Sequence, residues 1–495
     1  MKYLNRMNLL KLKNISERYP ANELFYKVIE KLKSPYRDYS ANYKNYLPTQ
    51  EELQQQRETS FSKNPLISIV VPTYETDEMF LKQMIDSVVA QTYENWELCL
   101  ADGSKSNKVQ TIINKYYITE KRICYKRLEK NAGISENTNQ GFQMANGDYI
   151  ALLDHDDLLV PSALYEMIKC INETEADFIY SDEDKVTADL KEYMDPHFKL
   201  DFNRELLLGN NYICHFLMIS KELLQRTGGL NGTYDGAQDF EFVLRCTKYA
   251  KRMEHIRKIL YHWRVHPAST AGNTNSKLYA YEAGKRAVEA YIAEQNWQGT
   301  VTMTRDLGFY QTRYQVPEKL TIGIYLWGKV TVSFEKVRQQ VKKELEGLNT
   351  SVIWDYDFQV PVDYVLVLNQ SIIDIEPESI SALLGSCGRN GIGMVAGKTL
   401  QARKVVQCGY WKKGDTYVAR YKGLGEKFKG YYRRAYLAAE VDAASRDCLV
   451  FRGDILEKKH REVLENEKKW FLLCEQQKRK GVVIIAEPQA TVKIK

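Results

Sequence analysis

The chain has 495 residues, 44% of them hydrophobic and 27% charged, and 70 basic against 64 acidic residues leave a net charge of +6. That is about three domains' length, and with a mean hydropathy of −0.47 and no apolar run near the roughly 18 residues of a bilayer helix it reads as a soluble globular protein, too weakly basic to be a histone-like nucleic-acid binder. Nine cysteines, odd in number and never spaced Cys-x-x-Cys, argue against a disulfide framework or structural zinc and for reduced thiols in a cytoplasm.

The opening MKYLNRMNLLKLKNISERYP has too short an apolar stretch, cut by charges, for a secretory signal. Residues 1–64 read as a polar helical extension in which Leu24, Val28, Ile29 and Leu32 form a stripe. From Pro65 the texture changes. LISIVVPTY is the β-branched run that a doubly covered parallel strand needs. A helix with Leu81, Ile85, Val88 and Val89 on one face follows, then the strand ELCLAD and a helix over about 109–117. RICYKRL, a helix over about 135–145 and DYIALLD complete the alternation. Alternating elements predict a right-handed parallel αβα sandwich. Ligands of such sheets bind beyond the carboxyl ends of the strands, which here are Thr73, Tyr74, Asp102 and Asp154.

A second αβ pattern starts near Leu320 with TIGIYLW, a helix carrying Val337, Val341 and Leu345, then SVIWDY and DYVLVLN. DYIALLDHDDLLVPSAL at 148 aligns without gaps on DYVLVLNQSIIDIEPES at 363. The predicted domains are therefore 1–64, 65–315 and a smaller α/β domain over 316–495.

Asp154-His155-Asp156-Asp157 ends an apolar strand. Three carboxylates in four residues repel one another unless a cation joins them, and oxygen donors in a loop suit Mg²⁺ or Mn²⁺. For the tetrapeptide alone, a solvated acidic turn or a helix cap before Leu158 is the better explanation. Its context is a run of motifs: VPTYE at 71, SVVAQTYENWEL at 87, ADGS at 101, NAGISENTNQG at 131, ANGDYIALLDHDD at 145, YSDED at 180, GGLNGTYDGAQDFEFVLR at 228 and YHWRVHPASTA at 261. Together they closely resemble the family 2 glycosyltransferases of GT-A fold, a Rossmann-like αβα sandwich, and in particular the rhamnosyltransferase-like bacterial members that build surface polysaccharides. The resemblance covers residues 65 to 315.

It implies that Asp154 faces the nucleotide ribose and that Asp156 holds the divalent ion on the diphosphate. Asp102 matches the acid that contacts the base, although Ala101 replaces the second acid usual there. Pro72, Thr73 and Tyr74 match the first nucleotide loop, with Glu75 in place of a common asparagine. Gly133 allows close backbone approach to the donor. Asp239 matches the catalytic base, with Gln238 beside it; without the resemblance, an aspartate there reads first as a helix cap. Arg264 and His266 match residues that reach the diphosphate or cation, while His262 and Trp263 lie toward the acceptor. Ser269 and Thr270 fall on an expected loop, and Asp182, Glu183 and Asp184 are a structural or acceptor-side group.

The expected activity is an inverting transfer of a sugar, with rhamnose first, from a uridine- or deoxythymidine-linked donor with Mg²⁺ or Mn²⁺. The acceptor is a glycan or lipid-linked saccharide, met at the inner face of the cell membrane by a cytoplasmic protein. No nucleic-acid partner is expected, and peripheral membrane contact and homo-oligomerisation are compatible with the sequence. The rival readings are a nucleotidyltransferase, for which VPTYETDE lacks glycines and lysine, and a non-catalytic sugar-binding or scaffold subunit. In residues 316–495 the alignment replaces Asp154, His155, Asp156 and Asp157 by Asn369, Gln370, Ser371 and Ile372, so this domain is expected to catalyse nothing.

Overall fold

The structure, a computed structural model, describes residues 19–32, 34–266, 278–456 and 460–495; Ser269 and Thr270 lie outside them. The chain forms two units: Lys33–Phe202 with Asn211–Tyr291, and Met1–Leu32 with Asn203–Asn210 and Ile292–Lys495. The N-terminal helical region is thus shared, Ala21–Leu32 belonging to the second unit and Gln50–Glu58 to the first. Among the described residues no helix is long and apolar enough to cross a membrane.

The sheet of the first unit comprises β1 (Ile67–Thr73), β2 (Trp96–Asp102), β3 (Ile123–Arg127), β4 (Tyr149–Leu152), β5 (Leu158–Leu159), β6 (Phe178–Thr187), β7 (Tyr193–His197), β8 (Leu217–Ser220) and β9 (Met253–Val265). Its order is β3-β2-β1-β4-β8-β6-β9-β5, with β7 beside β6. The first four strands are parallel as expected, and β8 then enters antiparallel to β4. Ile67, Ile69, Val70 and Val71 are fully buried, which is why β1 is an unbroken apolar run. The helix Glu78–Val89 is capped by Asp77, whose carboxylate accepts from the Met79 N–H at 2.9 Å. It buries Leu81, Met84, Ile85 and Val88; Val89, expected in that stripe, is the last helical residue and is exposed.

In the second unit β10 (Gly299–Met303) and β11 (Tyr310–Tyr314) form a hairpin. The larger sheet and its attachments follow as β12 (Leu320–Trp327), β13 (Thr350–Ile353), β14 (Tyr364–Asn369), β15 (Ile372–Ile375), β16 (Ile392–Gln401), β17 (Lys404–Gln407), β18 (Tyr410–Lys413), β19 (Thr416–Ala419), β20 (Ala439–Glu440), β21 (Cys448–Arg452) and β22 (Val483–Ile494). Its order, β13-β12-β14-β21-β16-β22-β15, repeats β2-β1-β4-β8-β6-β9-β5 of the first unit strand for strand. The parallel and antiparallel senses also match at every step. β3 alone has no counterpart. The register agrees with the gapless alignment, since Ile67 faces Tyr149 and Ile322 faces Tyr364. Asp148 and Asp363 even do the same work, accepting from the N–H of Leu66 at 2.9 Å and of Thr321 at 2.7 Å. The internal repeat in sequence is a repeat of fold.

The expected apolar stripe of Ala21–Leu32 does not pack as one: Val28 and Leu32 are exposed. Polar contacts hold this helix in its unit, Lys27 to Asp306 at 2.6 Å and Glu30 accepting from the N–H groups of Lys429 and Gly430. Deeper in the same unit Arg389 forks onto Glu205 through two hydrogen bonds of 2.9 and 3.0 Å, with both side chains buried.

Candidate active site

Two corners form at the carboxyl ends of the first unit's parallel strands. In one, Thr73 and Asp102 are register partners at the ends of β1 and β2. Asp102 is wholly buried and accepts from the Thr73 hydroxyl at 3.1 Å, the Ser104 N–H at 3.0 Å and the Tyr125 hydroxyl at 2.8 Å. Pro72 is half-buried and Tyr74 exposed at the edge of this corner. Glu75, with φ of 47°, turns back to accept from the N–H groups of Lys105 and Ser106, and so ties the β1 loop to the β2 loop. Gly133 precedes the helix Ile134–Met144 with φ of 97°, and a Cβ there would lie 2.8 Å from the Asp235 carboxylate. Only glycine fits without strain.

The other corner holds the acids after β4. No helix begins at Leu158, which pairs in β5 with His262 of β9, so a capping role for these acids is excluded. Asp157 is fully buried and accepts from the Tyr261 hydroxyl at 2.5 Å and the Arg264 N–H at 2.7 Å. It is therefore a structural member of the cluster, and burial, with Asp156 and Asp154 beside it, pushes its carboxyl far up. Burial also pushes Asp154 up, with the charges of Asp156 and Asp239 adding to that and His215 opposing it. Asp156 goes the other way: burial raises it, but the 2.7 Å hydrogen bond to His266 and the neighbouring imidazoles outweigh that and hold it low.

Arg264 is sunk beneath this corner. It donates to the Asp156 carbonyl at 2.5 Å, Gln83 at 2.6 Å and the Ala188 carbonyl at 3.0 Å, with its plane over the Phe80 ring. Its remaining terminal nitrogen is buried with no hydrogen-bond partner.

Asp239 lies in the first turn of the helix Gln238–Cys246, whose N-cap is Ala237. Its carboxylate caps nothing. Instead it accepts from the Asn211 amide at 2.9 Å and the Cys214 thiol at 3.6 Å. Gln238 accepts from the Gly236 N–H at 2.8 Å and so shapes the turn that delivers Asp239.

The YSDED acids form a buried frame behind these groups. Asp182 pairs with His255 at 2.9 Å, Glu183 with Lys199 at 3.3 Å and His197 at 3.4 Å, and Asp184 with His262 at 2.5 Å and the Tyr39 hydroxyl at 2.6 Å. His262 is thus held from below, while Trp263 meets His215 edge-on at 6.0 Å. Despite its burial, Glu183 is held down to about 2 by Lys199, His197 and His215. Its folded value lies below its unfolded one, so it stabilises the fold above the usual carboxylate range and that stability is lost as pH falls towards 2. Glu183→Gln is expected to destabilise the unit by on the order of 3 kcal/mol at neutral pH. Urea unfolding at pH 7 and pH 3 checks this, since the deficit should shrink at the lower pH.

His215, Asn211 and Cys214 were not legible as site residues. His215 stacks on Tyr261 at 4.6 Å, and Asp154, Asp157 and His215 each bring one ligand atom to within 4.8 Å of the others. The polar run GNNYICH directly before the apolar FLMIS was the available signal. In the second unit, the ladders place Asp447 where His215 stands in the first. Asp447 accepts from Asn369, the counterpart of Asp154, at 2.9 Å.

A mixed sheet of this order, with acids grouped at the ends of its parallel strands, is the GT-A architecture of glycosyltransferases. Residues 68–228 match the family described as Glycosyl transferase family 2, and the chain carries a domain of that family. The uncharacterized protein y4gI of Sinorhizobium fredii is 32% identical over 446 residues, covering 79% of this chain and 48% of that protein. O-antigen biosynthesis protein RfbC of Myxococcus xanthus is 27% identical over 401 residues, covering 73% and 31%. The solved structure of S. aureus TarS 1–349 in complex with UDP-GlcNAc is 19% identical, covers 46% of this chain and 66% of that one, and superposes with a TM-score of 0.39. The chain spans half or less of the length of these two curated relatives.

Proposed function

We propose that this chain is an inverting glycosyltransferase of surface-polysaccharide synthesis. It would move a sugar, with rhamnose first among candidates, from a uridine or deoxythymidine diphosphate to a glycan or lipid-linked saccharide at the inner face of the membrane. Residues 65–315 are the catalytic part in this reading, 1–64 a helical extension and 316–495 a non-catalytic copy. The observation that carries it is Asp239: a carboxylate at a helix start that caps nothing, is held by Asn211 and adds its charge to that felt by Asp154.

Asp239 takes the proton of the acceptor hydroxyl as its oxygen bonds to the anomeric carbon. The bond from that carbon to the diphosphate oxygen breaks on the opposite face, through an oxocarbenium-like transition state. Carboxylate oxygens of Asp154 and Asp156 fit Mg²⁺ or Mn²⁺; burial, with Asp156 and Asp239 adding to it, pushes Asp154 up, and a cation would offset the cost of a buried charge there. Asp156 and His266 are the proposed holders, with His215 adjoining; a bound cation supplies neutralisation of the leaving diphosphate. Arg264 braces this corner and has one N–H group to spare for an anion. Asp102, with Thr73, Pro72 and Tyr74, is proposed to receive the base, the Asp102 Oδ2 accepting a single internal hydrogen bond. Gly133 leaves room for the donor, and Gln238, His262 and Trp263 line the acceptor side.

Incubating the protein with a panel of nucleotide sugars, with and without Mn²⁺, tests the reading. Metal-dependent binding and slow hydrolysis of one donor are expected, and no donor bound under either condition would overturn it. Asn211→Ala is expected to lower kcat by up to about 10²-fold through misplacement of Asp239, with the KM for donor unchanged.

A further inference from the structure

The helix Ala21–Leu32 packs on the second unit by its polar side. Lys27 meets Asp306 at 2.6 Å, and Glu30 accepts from the N–H groups of Lys429 and Gly430 at 2.6 and 2.8 Å. Between these contacts Tyr26 meets the Phe428 ring edge-on at 5.3 Å. The apolar side of the helix is turned outward. Phe25, Val28 and Leu32, at i, i+3 and i+7 and so on one face, are 60%, 46% and 61% exposed. We propose that this face docks on an anionic lipid bilayer.

Charge selects the partner. Residues 403–434 hold ten basic and two acidic side chains, a surplus of eight that exceeds the +6 of the whole chain. Part of it is neutralised within the unit: Arg403 by Glu426, Lys412 by Glu475, and Lys429 and Arg433 by Asp306. Lys404, Lys422 and Lys427 are exposed and have no ion-pair partner among the described residues, nor has Lys31 on the helix itself. The first three gather around Phe428, the ring on which the helix rests. Lys404 bridges to Gly425, whose carbonyl accepts from the Phe428 N–H at 2.9 Å. Lys427 directly precedes Phe428, and Lys422 is three residues from Gly425, at most ~11 Å of chain. An outward apolar helix face beside unpaired lysines is the pattern of a helix lying in the plane of a membrane interface. Its apolar side reaches the acyl boundary and the lysines meet anionic headgroups. A second copy of this chain suits the face less well, since a twofold contact would bring the lysines of both copies together.

The proposal rests on the transferase reading only in taking transfer to occur at a membrane, and it uses no residue of the family 2 domain. Its test is flotation of the full chain with vesicles of phosphatidylcholine alone and of phosphatidylcholine with phosphatidylglycerol, at low and high salt. Binding to the anionic vesicles only, weakened by salt, is expected. Lys404→Gln, Lys422→Gln and Lys427→Gln combined should lower partitioning about 100-fold, at roughly fivefold per lysine. Phe25→Ser with Leu32→Ser should lower it at least about tenfold. All five positions are exposed, so both variants should keep the wild-type thermal midpoint and donor hydrolysis. Wild-type protein that hydrolyses a donor but floats with neither vesicle overturns the surface and leaves the transferase reading standing; flotation without hydrolysis does the reverse. Three further results would overturn the surface: unchanged flotation of the variants, a dimer that Phe25→Ser with Leu32→Ser dissociates, or a thermal midpoint lowered by that pair because another segment of the chain covers the face.

Discussion

Asp239→Asn is expected to reduce sugar transfer by about 10²–10⁴-fold, the usual worth of a positioned general base, while donor affinity stays within a few-fold of the wild type. The amide has the shape of the carboxylate but cannot accept the acceptor's proton. Nearly isosteric, it can still meet Asn211 after an amide flip, so the helix Gln238–Cys246 should keep its place. Loss of the charge also relieves Asp154 of one of the groups that push its carboxyl up, after burial and Asp156. Cation affinity at neutral pH should therefore fall only by the lost long-range attraction. Single-turnover transfer and calorimetric donor binding on the same preparation separate these effects. Near-normal turnover in a folded variant would remove Asp239 from the role.

Much of the first unit was legible because its parallel strands are buried on both faces and so write themselves as unbroken apolar runs: β1, β2 and β4 stand where the runs predicted. The acids at their ends were legible for the same reason, as polar residues terminating apolar strands. The antiparallel half was harder. β8 and β6 gain their partners only through long-range pairing, so nothing local shows that His215 comes beside Asp154. Likewise the capping alternatives for Asp239 and for Asp154 to Asp157 could be discarded only once Ala237 was seen at the cap and Leu158 in a strand.

The second unit shows the same limit from the other side. The match at 148 and 363 was visible, and with it the replacement of Asp154 by Asn369. That Asp447 supplies the opposing group was not, since it depends on the β14–β21 ladder across some 80 residues of chain. A single carboxylate that accepts from Asn369 at 2.9 Å and Thr399 at 2.9 Å takes the place of the acidic cluster. It explains how the sheet survives without the repulsion that a cation would have to offset.

Asp156→Ala is expected to weaken Mn²⁺ or Mg²⁺ binding by at least about 100-fold, since loss of outer-sphere partners alone costs 10–100-fold. Donor affinity should fall with it, because cation and diphosphate share charge. The variant also removes the carboxylate to which the His266 imidazole is bonded at 2.7 Å, and with it a charge that helps push Asp154 up, burial being the larger cause. The Asp154 carboxyl should then ionise at lower pH than in the wild type. The sign follows: wild-type cation binding fades as pH falls through the raised range of Asp154, whereas the weak residual binding of the variant should persist to lower pH. Calorimetric titration with Mn²⁺ between pH 5 and 8, with and without the donor, reads both effects. Unchanged donor affinity in the presence of chelator would show that Asp156 does not act through a cation. A metal-dependent transfer that survived Asp156→Ala combined with Asp239→Asn would place catalysis in the second unit instead.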